Sequence, residues 1–271
     1  NGFAVLRMDD RGVGQTTGKY EDATTEDFAD DALLALHYLQ KNKNINPHKI
    51  GMLGHSEGGA AISIASAKSK DVAFLVSIAG LAMNGFDALI VQNETLVDNS
   101  AMNQRDTQRS NEINKLMFIT AYQYADSSNM EDKLNETYTN WKKRDDAYFK
   151  TLNIEYDHFR FPIYSYVQSA TKPWYRYFVR YNAQMILSHV TGPVLALNGD
   201  KDIMVSPENL KNWENYLLAG GNKNVTTVLL PGLNHLFLRC KTCQANEYSE
   251  LSGQFSPDAL RIVTSWLKKI K

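Results

Sequence analysis

Residues 49–67, with the sequence KIGMLGHSEGGAAISIASA, decide the fold of this chain. The stretch opens with an apolar run of strand character over 49–53 and closes, after Gly59, in small residues that suit a helix. Between them Ser56 is flanked two residues away by Gly54 on one side and Gly58 on the other. A serine with this spacing on a strand-to-helix turn predicts a nucleophile elbow.

The predicted turn would expose the Ser56 hydroxyl at a helix N-terminus, on strained backbone. We expect side chains at Gly54 or Gly58 to collide with the neighbouring strand and helix, so both glycines would support the elbow. The backbone amide of Glu57 would point to where an oxyanion forms. His55 precedes the nucleophile and is expected to support the turn as well.

Apolar strand patterns alternate with helical patterns at both ends of the chain. Continuous apolar strands separated by helices predict a doubly wound, mainly parallel α/β sheet covered on both faces. A helix over about 25–41 has Thr24 and Asp27 placed as a variant of the capping box. The predicted strands are 3–8, 49–53, 72–79, 193–197 and 226–230, and further helices cover about 207–219 and the residues after Ser256-Pro257.

The composition changes between the two ends and becomes polar, charged and aromatic. Helical patterns are found there at about 103–125 and 130–151, with no parallel strand among them. The sequence therefore predicts an α/β core over 1–83 and 191–271, with a helical insertion over 84–190.

A serine of ordinary pKa needs an adjacent base, and the base needs an orienting carboxylate. Functional groups of a doubly wound sheet gather at the C-terminal ends of its strands. Asp200 and Asp202 follow the strand at 193–197, and His235 follows the strand at 226–230. The order Ser, Asp, His matches that of the nucleophile-elbow architecture. Either aspartate could be the acid, although Asp200 also suits a turn.

The other histidines have positions less suited to a catalytic base. One lies in a helix, one follows a proline, two lie in or beside the insertion, and one adjoins Ser56: His37, His48, His158, His189 and His55.

The chain resembles the α/β-hydrolase superfamily, in particular its bacterial esterase and serine-aminopeptidase-like branch. The resemblance covers nearly the whole chain except the insertion, and it rests on residues 10–14, 54–59, 199–202 and 232–235. It implies that Ser56 is the nucleophile, His235 the general base and acid, and Asp202 the orienting acid. The insertion would be the family's cap, which shapes the substrate pocket.

The resemblance also implies strands that this sequence does not contain. In that fold three strands precede the one expected at 3–8, and a loop after one of them donates the second oxyanion amide. We therefore expect N-terminal strands to be missing from this chain.

The charge and the apolar runs of the chain limit the kinds of partner that we expect. The net charge of −1 gives no indication of nucleic acid or an anionic membrane as a partner, and no apolar run approaches the ~18 residues that cross a bilayer.

Cys240 and Cys243 form a single pair, which is too few for a four-cysteine zinc site. We expect loop thiols, with a local disulfide as an option. The loop of Arg11, Gly12 and Gly14 lacks the third glycine of a dinucleotide fingerprint. We expect neither a cofactor nor a metal.

The sequence thus predicts a serine hydrolase that cleaves small carboxylic esters through an acyl-enzyme. Cleavage of acyl-thioesters or small peptides is the close alternative, because the same residues serve all acyl transfers. A non-catalytic ligand-binding relative with the same fold is the alternative of a different class. Nothing in the sequence indicates the compartment or the oligomeric state.

Overall fold

The computed structural model describes residues 2–251 and 253–270, and the chain divides into two units. The core unit contains residues 1–84 and 182–271, and the helical unit contains residues 85–181. Residues 182–190, which the sequence pattern places in the insertion, group with the core unit.

The core unit is built on a parallel sheet of four strands in the order β1-β2-β3-β4. Their bounds are β1 Met52–His55, β2 Leu75–Ile78, β3 Val194–Gly199 and β4 Val225–Leu230. The inner strands β2 and β3 are buried along their whole length, as their continuous apolar runs predict. Strand β1 pairs only with β2 among the described residues, and its Leu53 is 57% exposed.

Ten α-helices are found in the described residues. In chain order they are α1 Thr25–Gln40, α2 Glu57–Lys68, α3 Gly85–Asp98, α4 Gln104–Tyr124, α5 Met130–Phe149, α6 Ile163–Ala170, α7 Pro173–Arg180, α8 Ala183–Leu187, α9 Asn209–Ala219 and α10 Pro257–Leu267. Short 3₁₀ helices cover Tyr20–Asp22, Pro47–Lys49 and Ala245–Ser249. None of the helices within 2–251 and 253–270 is both long and apolar enough to cross a membrane.

Local signals in the sequence set the helix starts in the core unit. The capping box at α1 is confirmed: the Asp27 amide donates to the Thr24 hydroxyl, and the Thr24 amide donates to the Asp27 carboxylate at 2.8 Å. Helix α10 begins as predicted, with Pro257 in its first turn and the Ser256 hydroxyl accepting from the Ala259 amide.

The strand predicted at 3–8 is wrong. Residues 2–10 form neither helix nor strand, and their apolar side chains are exposed, with Val5 at 81%. A β-strand is stable only when a neighbour satisfies its backbone donors and acceptors, and no strand of the described chain pairs with this segment. Its apolar pattern alone therefore does not make it a strand here.

The helical unit has a core of its own. Helix α4 packs against α3, α5 and α7, and many of the aromatic residues that mark this part of the sequence lie inside, with Trp141 only 2% exposed. The predicted helices at 103–125 and 130–151 correspond to α4 and α5.

A buried ion cluster crosses the helical unit. The Arg109 guanidinium, 6% exposed, donates to the carboxylates of Asp145 and Asp157 at 2.6 Å each and to Asp106 at 3.1 Å. It also stacks over the Phe159 ring at 4.5 Å. The hydrogen bonds that Arg109 donates to Asp157 and Asp145 raise the pKa of Arg109. Arg109 therefore links α4, α5 and the segment after α5.

Candidate active site

Ser56 lies at the turn between β1 and α2 in a backbone conformation that residues other than glycine rarely adopt. Its φ is 56° and its ψ is −121°. The turn is held by three backbone hydrogen bonds: the Ser56 amide donates to Ile78, and the Ser56 carbonyl accepts from Gly59 and Leu81. Strain of this kind persists only where the surroundings enforce it, and it gathers at functional sites. The turn has the geometry expected of an elbow.

Close backbone approaches explain some of the glycines around Ser56 and not others. A Cβ at Gly54 would collide with the Gly58 carbonyl, so the collision expected there exists. The collision expected at Gly58 does not occur, because a Cβ there would meet no atom within 4 Å. Gly59 is the second crowded position, since its Cβ would collide with the backbone of Gly80.

Asp202 lies in the turn after β3 with its side chain fully buried. Its Oδ1 accepts hydrogen bonds from the amides of Met204 and Val205 at 2.8 and 2.9 Å. Its Oδ2 accepts from the Asn198 side-chain amide at 3.3 Å. These donors fix the carboxylate and leave Oδ2 with room for one more partner.

His235 is that partner. Its Nδ1 donates to Asp202 Oδ2 across 2.9 Å, and the His235 side chain is 9% exposed. The loop around it is tight: the Asn234 carboxamide oxygen accepts from the amides of Leu236 and Leu238, each at 3.0 Å. The imidazole is therefore held in one orientation.

Asp200, the other candidate acid, has a different role in the structure. Its Oδ1 accepts from the Gly232 amide at 2.6 Å, which ties the turn after β3 to the loop that carries His235. Of the two aspartates, it is Asp202 that the structure brings to the imidazole.

His55 joins the serine turn to the histidine loop. Its Nε2 donates to the His235 carbonyl at 2.8 Å, and the two rings are 4.6 Å apart between centroids. Desolvation by the surrounding protein lowers the pKa of His55, and the hydrogen bond to the His235 backbone opposes that shift without cancelling it. Within the described residues the Ser56 hydroxyl makes no hydrogen bond to His235.

Glu57 is the first residue of α2, so its amide lies at the N-terminus of that helix. Its carboxylate accepts from the buried Thr25 hydroxyl at 2.6 Å, which anchors the start of α2 to α1. Thr25 is a supporting residue that the sequence did not indicate.

The loop after β2 also supports the serine turn, through residues that the sequence did not indicate. The Asn209 carboxamide accepts from the Ala82 amide and donates to the Gly80 carbonyl, both at 2.7 Å. The Trp213 indole donates to the same carbonyl at 2.9 Å. Both side chains come from α9 and look like ordinary helix residues in the sequence.

The remaining histidines make no hydrogen bond to Asp202 in the part of the chain that the structure describes. His37 lies 3.8 Å from the exposed carboxylate of Asp71, and His48 belongs to an exposed 3₁₀ helix. His158 packs on Tyr156, and His189 Nδ1 donates to a backbone carbonyl at 2.8 Å.

The loop of Arg11 is held against α1. Its guanidinium pairs with Asp27 at 2.8 Å and with Asp31 at 2.6 Å. These carboxylates raise the pKa of Arg11, the hydrogen bond to Asp31 most of all. Arg11 is thus engaged with protein carboxylates.

Cys240 and Cys243 form a disulfide, which was one of the two options for the pair. Among the residues that the structure describes, no group of three or more His, Cys, Asp or Glu side chains could hold a metal ion.

Three solved structures are similar to this chain over nearly its whole length. The monoacylglycerol lipase of Paleococcus ferrophilus is 14% identical, with a TM-score of 0.52 over 97% of this chain and 82% of the lipase. The alpha/beta hydrolase GrgF from Penicillium sp. sh18 is 15% identical, with a TM-score of 0.52 over 97% of this chain and 77% of that one. DcsB, solved with its substrate analogue, is 14% identical, with a TM-score of 0.52 over 97% and 79%. At these identities the likeness concerns the fold alone.

None of the curated proteins matches the chain. The family model described as alpha/beta hydrolase fold matches residues 1–238, which is most of the chain. The expected superfamily is confirmed, whereas the narrower branch stays a prediction. With a parallel sheet, a strained serine turn and a family match of this extent, the chain belongs to the alpha/beta hydrolase fold family.

Proposed function

We propose that this chain carries the catalytic residues of a serine hydrolase that cleaves carboxylic esters through an acyl-enzyme. Membership of the alpha/beta hydrolase fold family supports hydrolase activity. The observation that carries the finer proposal is the 2.9 Å hydrogen bond between His235 Nδ1 and Asp202 Oδ2. His235 lies on a loop, and the hydrogen bond from His55 connects this loop to the turn of Ser56.

The proposed reaction begins with attack of Ser56 Oγ on the ester carbonyl. An ionised carboxylate only accepts hydrogen bonds, so Asp202 fixes the proton of His235 on Nδ1. Nε2 is then the ring nitrogen that takes the serine proton. The resulting imidazolium is stabilised by Asp202, and Nε2 returns the proton to the departing alcohol.

The developing oxyanion needs donors aimed at the place where its charge appears. The Glu57 amide, at the first position of α2, is the proposed donor, and the helix dipole adds to it. In the second half of the reaction His235 takes a proton from water. The hydroxide then attacks the acyl-enzyme, the acid is released, and His235 returns the proton to Ser56 Oγ.

A fluorophosphonate probe tests the nucleophile. We expect covalent labelling at Ser56 in the full-length protein and its complete loss in the variant Ser56→Ala. Ser265→Ala is the matched control, since Ser265 is an exposed serine on α10. Labelling that survives Ser56→Ala would contradict the proposal. So would an unlabelled wild type, which would favour a ligand-binding relative.

A substrate panel tests the reaction class. We expect nitrophenyl esters of short acids to be hydrolysed with a higher kcat/KM than the matching thioesters and aminoacyl amides. Faster cleavage of thioesters or amides by the same Ser56-dependent activity would replace the ester with that class. The role of the helical unit as a cap stays a prediction, and variation of acyl length in this panel reports on it.

A further inference from the structure

We propose that Asn198 is a positioning residue for Asp202, whose carboxylate oxygen Oδ2 it holds in the place where that oxygen meets the His235 imidazole. The inference rests on the proposed function, because it adds a further residue to the same site. It is carried by a polar side chain inside an apolar strand and by the acceptors to which that side chain donates.

Asn198 lies near the end of the inner strand β3, whose other side chains are apolar. Residues Val194–Gly199 have the sequence VLALNG, and all six are buried. The strand pairs with β2 on one side and with β4 on the other, and Asn198 is fully buried between them. Leucine would fill a site of this size without the free-energy cost of burying an amide. Packing alone therefore favours an apolar residue at this position.

The amide nitrogen of Asn198 has several acceptors. Nδ2 donates to Asp202 Oδ2 at 3.3 Å, to the Val205 carbonyl at 3.1 Å and to the Gly199 carbonyl at 3.3 Å. The Oδ1 atom, in contrast, is buried and makes no hydrogen bond within the described residues. A buried amide oxygen without a partner costs free energy, so the oxygen does not explain an asparagine here. What the side chain contributes is its donor group.

Asn198 and Val205 hold the two oxygens of the Asp202 carboxylate from different sides. The Val205 amide donates to Oδ1 at 2.9 Å, and the Val205 carbonyl accepts from Asn198. The bond from Asn198 to Oδ2 then closes a ring of three hydrogen bonds through the three residues. Rotation of the carboxylate about its Cβ–Cγ bond would break the bonds on both oxygens. The ring therefore fixes the plane of the carboxylate.

This fixed plane determines where the imidazole of His235 is held. An ionised carboxylate only accepts hydrogen bonds and has about four acceptor positions. The four donors here are Met204 and Val205 on Oδ1, and Asn198 and His235 on Oδ2. Without Asn198, Oδ2 keeps the imidazole as its one partner and can move with it. Small displacements of a catalytic base slow proton transfer strongly, so the loss of this donor has a kinetic effect.

The variant Asn198→Leu tests the role, because it removes the donor and keeps most of the buried volume. We expect kcat on a nitrophenyl ester to fall about tenfold, the effect of losing one weak hydrogen bond to a charged group. KM should stay unchanged, since Asn198 is buried behind the carboxylate and is not proposed to touch the substrate. Fluorophosphonate labelling of Ser56 should slow by the same factor.

Asn222→Leu is the matched control. Asn222 is also a buried asparagine of the core unit, and its Nδ2 donates to the carbonyls of Val190 and Gly192 at 3.0 and 2.8 Å. Its loss should affect the melting temperature and leave kcat and the labelling rate unchanged. If either leucine variant does not fold, Asn198→Ala and Asn222→Ala make the same comparison. An equal fall of kcat in both members of a pair would overturn the proposal.

A second background separates positioning from support of the fold. In Asp202→Ala the carboxylate is gone, whereas the bond from Asn198 to the Val205 carbonyl can remain. If Asn198 acts through Asp202, adding Asn198→Leu to Asp202→Ala should not slow Ser56 labelling further. A further loss as large as that in the wild type would show that Asn198 only supports the turn, and the proposal would fail.

Proton NMR observes the bond that Asn198 is proposed to control. The resonance of the His235 Nδ1 proton should shift in Asn198→Leu and stay in place in Asn222→Leu. An unlabelled, inactive wild type would overturn the proposed function itself. A labelled, active wild type in which Asn198→Leu changes neither kcat nor this resonance would overturn only the role of Asn198.

Discussion

The His55 side chain donates to the backbone carbonyl of His235 across 2.8 Å, 180 residues away in the sequence. Because His55 immediately precedes Ser56, this one hydrogen bond connects the strained turn to the loop that carries the proposed base. The two imidazoles also pack against each other, at 4.6 Å between centroids. The position of the base relative to the nucleophile therefore depends on a residue outside the proposed triad.

Replacing His55 should slow the reaction without abolishing it. We expect His55→Leu to lower kcat about tenfold, because the His235 carbonyl loses a donor and the loop gains freedom. His55→Gln keeps a donor and should recover part of the loss. Steady-state kinetics on a nitrophenyl ester measure both. His48→Leu, at an exposed histidine, is the control, and an unchanged kcat in His55→Leu would refute the positioning role.

Neutralising the two neighbouring aspartates should separate their roles. Asp202→Asn should lower kcat by about 10⁴, because an amide no longer fixes the imidazole tautomer. Asp200→Asn should keep most of the activity and lower the melting temperature, since the Asp200 carboxylate accepts from the Gly232 amide and lies 4.0 Å from the Lys201 amine. Steady-state kinetics and thermal melts of the two variants decide which aspartate is the catalytic acid. A larger kinetic effect at 200 would reverse the assignment.

Two glycines of the elbow should respond in opposite ways to the same substitution. Gly54→Ala places a methyl group against the Gly58 carbonyl, so we expect loss of soluble protein or of Ser56 labelling. Gly58→Ala meets open space inside α2, where alanine is the better helix former by about 1 kcal/mol. Its free energy of unfolding should therefore stay the same or rise. Denaturant unfolding of both variants tests this, and the reverse order would show that the turn is built differently.

The buried ion cluster should be essential to the helical unit. Arg109→Met leaves the carboxylates of Asp145 and Asp157 buried without their cation, which costs about 3–5 kcal/mol. Arg144→Met removes an exposed arginine from α5 and should cost less than about 1 kcal/mol. Hydrogen exchange across residues 85–181 measures the difference in stability between the two variants. Equal protection in the two variants would argue against a structural role for the cluster.

Acid should weaken the same cluster. Hydrogen bonds from Arg109 lower the pKa of Asp157 to about 2, below its ordinary 3.8. A carboxyl whose pKa is depressed by folding stabilises the folded state above about pH 4 and loses this contribution as the pH falls towards 2. The loss is about 2 kcal/mol. Asp157→Asn should be less stable near pH 6 and show a flatter decline below pH 4, measured by unfolding at several pH values. If the free energy of unfolding of the wild type and of Asp157→Asn falls equally below pH 4, the acid sensitivity does not come from Asp157.

The sequence predicted most of the core because strands and turns are local signals there. The apolar runs that end before Asp202 and His235 give β3 and β4 to within one or two residues, and the ends of parallel strands meet at one edge of a sheet. The pairing of Asp202 with His235 is consistent with that geometry. The role of the pair in catalysis is still a proposal.

The failures concern features that depend on neighbours distant in sequence. Residues 3–8 have a strand pattern, but pairing and not pattern makes a strand. Whether a glycine is crowded depends on what packs against it, so Gly59 and not Gly58 meets the backbone of Gly80. The supporting role of Thr25 likewise becomes visible only in the folded chain, because nothing adjacent in the sequence marks it.

The helical unit leaves and returns at a single point. The Gly85 amide donates to the Tyr181 carbonyl at 2.9 Å, so the first and last residues of the unit are bonded to each other. In the core unit the Asn84 side chain accepts from the Ala183 amide at 3.1 Å, which keeps the two flanking residues together as well. The two ends of the helical unit are thus held close together, as are the core residues that flank it. A linker of very few residues is therefore enough to replace everything between 84 and 182. The helical unit is therefore open to exchange: a core unit in which residues 84 and 182 are joined by a short linker, or carry a foreign insert between them, is an accessible design.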